Sequence, residues 1–534
     1  MAILIALSAV ADKSKLPYPI MLVFAGLVIG FVPALPNLAM DPDIVFLIFL
    51  PPLLYDAASK TSWHEFKTSI RPICALAVSL VFFTTTVVAV SAHYLIPGFT
   101  WPLSFVLGAI VSPPDAVAAT SITRGLGLNK KVITILEGES LLNDASALIA
   151  YRYAIAAVST GTFVFWQAGL QFLLIAGGGI ATGIATGYLF VFAHKKITNN
   201  PIVETSLTLL SPFVTYLAAE HFHVSGILAV VSAGLIMSWR SPEIFAYHAR
   251  MNTKYVWDTL IYLLNGFIFI LIGLQLPDIL KDLGNYPVLQ LLGSGLLISL
   301  ATILVRIVWV LGGAYAAKAF RSKGAGNAMT DEENTAQWKN ILIVAWTGTR
   351  GIISLATALA LPLLLDDGSA FPKRHSIIFL AFVVIFVTLV VQGLSLPLLV
   401  RLLNVKTQAN EDNEEKELRL YLATSTLHFI DHEFPVHIDN NIKGQLKKKY
   451  ETLINYLTKE IRANKKRQDA DILSTSLAVS PMLNAQIEIS KFQRDLIIKL
   501  HKEGTFSDAA LKQAELERDV DDLKLDMRLP KEEL

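Results

Sequence analysis

Four carboxylates and three arginines lie inside stretches otherwise apolar enough to sit in lipid: Asp115, Glu137, Glu139, Asp144, Arg152, Arg306 and Arg350. An ionisable side chain near a bilayer centre costs several kcal/mol unless it is paired, hydrated or protonated, so each needs an account. The densest group is Glu137-Gly138-Glu139-Ser140-Leu141-Leu142-Asn143-Asp144. Helical spacing aligns Glu137, Ser140 and Asn143 or Asp144 on one stripe, with Ser140 one turn before Asp144 and Glu139 one turn before Asn143. Carboxylate, hydroxyl and amide oxygens are hard ligands that suit a small alkali cation. Asp144 is therefore read as the ion-binding carboxylate, the ligand for Na+, with Asn143 and Ser140 beside it. Glu139 is read as half of a structural ion pair.

Two other groups surround that cluster. In Val111-Ser112-Pro113-Pro114-Asp115-Ala116 the prolines remove two backbone donors and free carbonyls one turn back, so the helix is expected to break at Asp115. Exposed carbonyls at a broken helix bind cations, and Asp115 either ligates or caps the following half-helix. In Trp346-Thr347-Gly348-Thr349-Arg350-Gly351 the arginine between glycines calls for an internal carboxylate, Glu139 or Glu137. Arg152 and Arg306 are read as snorkelling or as satisfying loose helix carbonyls. A broken helix with a charge in each half of the chain fits two inverted repeats crossing at the midplane.

These residues must be held by membrane-spanning helices. Of 534 residues, 53% are hydrophobic and 17% charged, and the mean hydropathy is +0.51, which excludes an ordinary soluble domain. Net charge is +1, which gives no reason to expect a nucleic-acid partner. The single cysteine, Cys74, excludes an intramolecular disulfide framework and a cysteine metal cluster. No Walker-type loop, HExxH or GxSxG occurs, so nucleotide-driven transport and the common hydrolase chemistries find no support and no cofactor is expected. Apolar segments near 17–33, 43–57, 72–95, 102–121, 132–158, 163–193, 202–219, 223–239, 255–276, 287–316, 340–364 and 376–400 are long enough for a core of ~30 Å. Distortion is expected at Pro51 and Pro52. Residues 2–11 are read as a shortened first helix in preference to a cleaved signal, giving about 13 crossings.

Charge bias orients them. With the N-terminus outside, the inner loops hold Lys13, Lys15, Lys60, Lys67, Arg71, Arg124, Lys130, Lys131, Lys195, Lys196, Arg240, Arg250, Lys254, Lys318, Arg321, Lys323 and Lys339, and the outer loops only Lys281, Lys373 and Arg374. The C-terminus is then cytoplasmic. Residues 1–403 form the transmembrane domain, and 404–534, rich in Lys, Glu and Asp, a cytoplasmic helical domain. Gly179, Gly183 and Gly187, four residues apart, predict close packing of another helix.

FLPPLLYDA (49–57), SPPDAVAAT (112–120), EGESLLNDASALI (137–149) and GTRGIISLATALALP (348–362) together resemble the monovalent cation/proton antiporters of the NhaP and sodium/proton exchanger type. The resemblance implies an Asn143–Asp144 ion site supported by Asp115 and Ser140, a Glu139–Arg350 pair, a homodimer in the plasma membrane and a moving six-helix core. An Asn-Asp pair is similar to the electroneutral branch. SPPDA departs from the Thr-Asp-Pro form of many members. The expected activity is exchange of Na+ for H+ by competition for Asp144, with a K+/H+ antiporter and a cation channel as alternatives.

Overall fold

The computed structural model describes residues 18–31, 42–115, 130–161, 165–196, 200–245, 247–283, 288–321, 331–365, 367–403, 409–432 and 440–468. The chain divides into two units, Met1–Thr407 and Gln408–Leu534. The described residues are almost wholly helical, with one isolated bridge, Leu364 to Ala370. The expected helix over 2–11 lies outside the described residues.

In chain order the first unit contains α1 (Tyr18–Gly30), α2 (Pro42–Lys60), α3 (Trp63–Thr68), α4 (Ile70–Cys74), a π-helical turn (Ala75–Leu80), α5 (Val81–Leu95), α6 (Trp101–Val111), α7 (Lys130–Thr160), α8 (Phe165–Lys196), α9 (Pro201–His221), α10 (Gly226–Ile244), α11 (Tyr247–Leu274), α12 (Leu276–Asp282), α13 (Val288–Arg321), α14 (Asp331–Trp346), α15 (Ile352–Leu359) and α16 (Arg374–Leu402). Among the described residues, six continuous helical stretches are long and apolar enough to cross a membrane: Ile70–Leu95, Gly169–Lys196, Pro201–His221, Ala249–Lys281, Val288–Ala316 and Arg374–Leu402. Pro19–Gly30, Trp101–Val111 and Gly226–Ser241 are shorter apolar helices. α7 is absent from that set although its 31 residues reach about 46 Å. Its buried charges and polar groups, the ones that could do chemistry, dilute its hydropathy.

Where the sequence predicts irregularity, the outcome divides. α2 runs through Pro51 and Pro52 without interruption. α6 stops at Val111, before Pro113 and Pro114, as expected. The span expected over 340–364 is split into α14 and α15 by the non-helical residues 347–351. The π-helical turn was not foreseen; it leaves Ile70–Leu95 one continuous span.

Small residues set the closest helix contacts. A Cβ added at Gly183 would fall on the Ala229 carbonyl and one at Gly179 on Ser225, while one at Gly187 would press on Ala233 and Ile236 at 3.2 Å, so α8 lies directly on α10 as the glycine spacing predicts. Gly26 and Gly273 bring α1 and α11 together in the same way. Around the interrupted segments the core is Leu103, Val106, Leu107 and Ile110 of α6 with Ile377, Leu380, Ala381 and Val384 of α16. In the second unit α17 (Ala409–His432) packs on α18 (Asn440–Gln468). Lys447 bonds to Asp431 there and holds its carboxyl below the usual carboxylate range. That contribution is present at neutral pH and fades as pH falls through the lowered value.

Gly183→Leu is expected to destabilise the purified protein by ~1–3 kcal/mol through overpacking. Gly177→Leu, where nothing lies within 4 Å, should leave the unfolding temperature in detergent unchanged.

Candidate ion site at two interrupted helices

The interruptions after α6 and α14 meet. The Asp115 amide donates to the Thr349 carbonyl at 2.6 Å, and the Thr349 hydroxyl donates to the Asp115 carbonyl at 3.2 Å. Gly351 has no room for a side chain, because a Cβ would fall on the Asp115 carboxylate. A helix that ends inside a membrane leaves carbonyls without amide partners, and each costs several kcal/mol if unsatisfied. Here side chains replace the missing amides. The Thr347 hydroxyl donates to the Val344 carbonyl at 3.1 Å, Arg306 Nε to the same carbonyl at 3.2 Å, and Gln392 to Trp346 at 2.9 Å. Arg350 donates to the carbonyls of Gly348, Val111 (3.0 Å) and Ser112 (3.4 Å), while its own amide donates to the Thr388 hydroxyl at 3.1 Å.

α7 brings the predicted acidic stripe to this crossing. Asn143 is fully buried; its Nδ2 donates to the Pro114 carbonyl at 2.7 Å, and among the described residues its Oδ1 has no hydrogen-bond partner. Asp144 is 4% exposed and within charge range of Asp115, and among the described residues no basic side chain pairs with it. Asp115 and Ser140 line one small pocket together with Pro114, Leu136, Glu139, Arg306 and Thr347. Asn143 and Asp144 are outside that pocket's lining; Asn143 reaches the first interruption through the Pro114 carbonyl, and Asp144 is near enough to Asp115 for their charges to interact. The four predicted ion-site residues offer oxygens in surplus over donors, as a cation requires and an anion does not.

One predicted contact is different. Glu139 pairs with Arg306 and not with Arg350: Nη1 to Oε1 is 2.5 Å and Nη2 to Oε2 is 2.8 Å, with both side chains buried. The reason is carbonyl accounting. Arg350 sits inside a break and is consumed by three backbone carbonyls, whereas Arg306 lies in the continuous α13, with few carbonyls to serve, and reaches α7 in a two-pronged pair. The reading of Arg306 as serving a loose helix carbonyl holds through its Nε on Val344, but it missed the pair with Glu139. A fixed cation within an apolar 34-residue helix was the signal that it needed a buried acid. Arg152 reaches Glu220 at 3.6 Å with both side chains partly exposed. Thr347 and Thr349 were not singled out, since a threonine in an apolar helix carries no charge to explain.

The class of molecule is an all-α polytopic membrane protein in which two interrupted helices join a buried acidic helix. Comparison with known proteins makes it particular. A family model described as sodium/hydrogen exchanger, transmembrane, matches residues 1–402, and the chain belongs to that family. It is 32% identical over 449 residues to a sodium, potassium, lithium and rubidium/H+ antiporter of Bacillus pumilus, covering 80% of this chain and 64% of the relative. A second such antiporter, of Bacillus subtilis, is matched over 60% of its length, so the chain spans under two thirds of these relatives. It is 30% identical to the Na+/H+ antiporter ApNhaP of Aphanothece halophytica, covering 72% of this chain and 68% of that one. The solved sodium proton antiporter MjNhaP1 of Methanocaldococcus jannaschii superposes with a TM-score of 0.57 at 20% identity, covering 75% of this chain and 95% of the other, which establishes a shared fold.

Arg306→Leu should destabilise the protein by ~3–5 kcal/mol, because it strands a buried carboxylate. The Glu139→Leu/Arg306→Leu double variant should recover much of that loss, as read by thermal unfolding in detergent.

Proposed function

We propose that this protein is a secondary active antiporter that exchanges Na+ for H+, with Asp144 as the carboxylate for which the two ions compete. The observation that carries the reading is a buried Asp144 without a basic partner among the described residues, beside the donor-free Oδ1 of Asn143. A protonated and a cation-loaded Asp144 carry the same charge, so a domain bearing either can move its site from one face to the other. A bare carboxylate would carry a net charge through a low-dielectric barrier, and that penalty couples the two fluxes. One cation then exchanges for one proton, and the cycle is electroneutral.

The other residues divide the work. Ser140 and Asp115 complete or orient the site, Asn143 joins it to the first interruption through Pro114, and the Glu139–Arg306 pair and Arg350 hold the crossing together. Two breaks meeting face to face support inverted six-helix repeats that cross at the midplane. The protein works as a homodimer in the plasma membrane, N-terminus outside, with residues 404–534 in the cytoplasm. The charge bias of the loops supports that orientation. The Bacillus pumilus relative's named range of cations favours K+ and Li+ as further substrates.

In proteoliposomes with a trapped pH dye, external Na+ should drive a pH change that persists under a potassium clamp. Asp144→Asn should reduce it to the level of empty vesicles. Full exchange by Asp144→Asn, or a clamp-sensitive current of high unitary rate, would exclude this mechanism and favour a channel.

A further inference from the structure

The pocket beside Asp115 and Ser140 has a wall from the other interrupted helix, and that wall is Thr347, 3% exposed. Its hydroxyl hydrogen is committed to the carbonyls of Ile343 at 2.9 Å and Val344 at 3.1 Å. The oxygen can therefore present only lone pairs to a pocket occupant. The first interruption also lines it with Pro114, which carries neither a hydroxyl nor an amide hydrogen. The remaining charged lining is neutralised, since both Arg306 Nη atoms are bonded to Glu139 and its Nε to Val344. The lining thus joins oxygen-bearing side chains from three segments: Asp115 of the first interruption, Ser140 of α7 and Thr347 of the second interruption.

We propose that Thr347 is a specificity-determining residue, its hydroxyl oxygen ligating the transported cation, or a water the cation retains, opposite Asp115 and Ser140. The inference rests on the antiporter reading and goes beyond it by giving the second interrupted helix a ligand. An oxygen fixed by two carbonyl contacts gives little when the occupant changes size. Loss of that oxygen should weaken small ions, which need close ligands, more than K+.

The test compares Thr347→Val, which keeps the shape and removes the oxygen, with Thr347→Ser, which keeps the oxygen. Half-saturating Na+, Li+ and K+ are measured in proteoliposomes, and Na+-dependent thermal stabilisation is measured in detergent. Thr347→Val should raise half-saturating Na+ and Li+ by about fivefold to tenfold, the effect of one lost neutral polar contact. K+ should change less than twofold and the maximal rate stay near wild type, while Thr347→Ser remains near wild type throughout. The Na+ concentration that stabilises against heat should shift by the same factor. An active wild type with Thr347→Val unchanged in half-saturation and cation ratio would overturn this inference alone. So would equal loss of rate for all cations in both variants, the mark of a structural role. A wild type that moves no cation would overturn the antiporter reading and this inference with it.

Discussion

Everything at the centre of this molecule follows from one constraint: two helices stop inside the membrane, and the carbonyls they leave behind have no water to bond. The amides that a continuous helix would supply are replaced by Thr347, Arg306 and Gln392 after α14 and by Arg350 and Asn143 after α6. These are long or well-placed polar side chains from α7, α13, α16 and the break itself, so satisfying the breaks also ties four elements into one body. Gly351 allows Asp115 to lie against the second break, and the mutual bonds of Asp115 and Thr349 close the crossing.

Charge follows from the same geometry. Arg350 is spent on carbonyls, so Glu139 takes Arg306, and the two-pronged pair leaves no net charge at that side of the pocket. Asp144, one turn after Ser140 on α7, is left without a basic partner among the described residues. A buried acid in that situation is stable as a neutral acid or as the ligand of a cation, and poorly stable as neither. On the antiporter reading proposed above, ion coupling rests on this isolation of Asp144: Arg350 serves the freed carbonyls and Arg306 serves Glu139 and Val344.

Much of this was legible from residue types. Paired prolines before Asp115 announced the first break, Gly348 and Gly351 around Arg350 pointed to disturbance of the second span, and the spacing of Ser140, Asn143 and Asp144 holds because α7 is continuous. The partner of Glu139 was not legible. Two arginines from different helices compete for one carboxylate, and the winner depends on how many loose carbonyls each faces, a quantity set by tertiary structure. Thr347 was hidden for a related reason: its hydroxyl matters through what it faces across the crossing. α2 carries Pro51 and Pro52 without a break.

The central claim is that a cation and a proton exclude each other at Asp144. It is tested most directly by titrating detergent-purified protein with NaCl at near-neutral pH in a weakly buffered cell and counting protons released, with choline chloride as the ionic-strength control. Release that saturates with Na+, approaches one proton per chain as pH is lowered toward the acid side, and vanishes in Asp144→Asn is the predicted result. Sodium binding with no proton release at any pH, or undiminished release from Asp144→Asn, would contradict it.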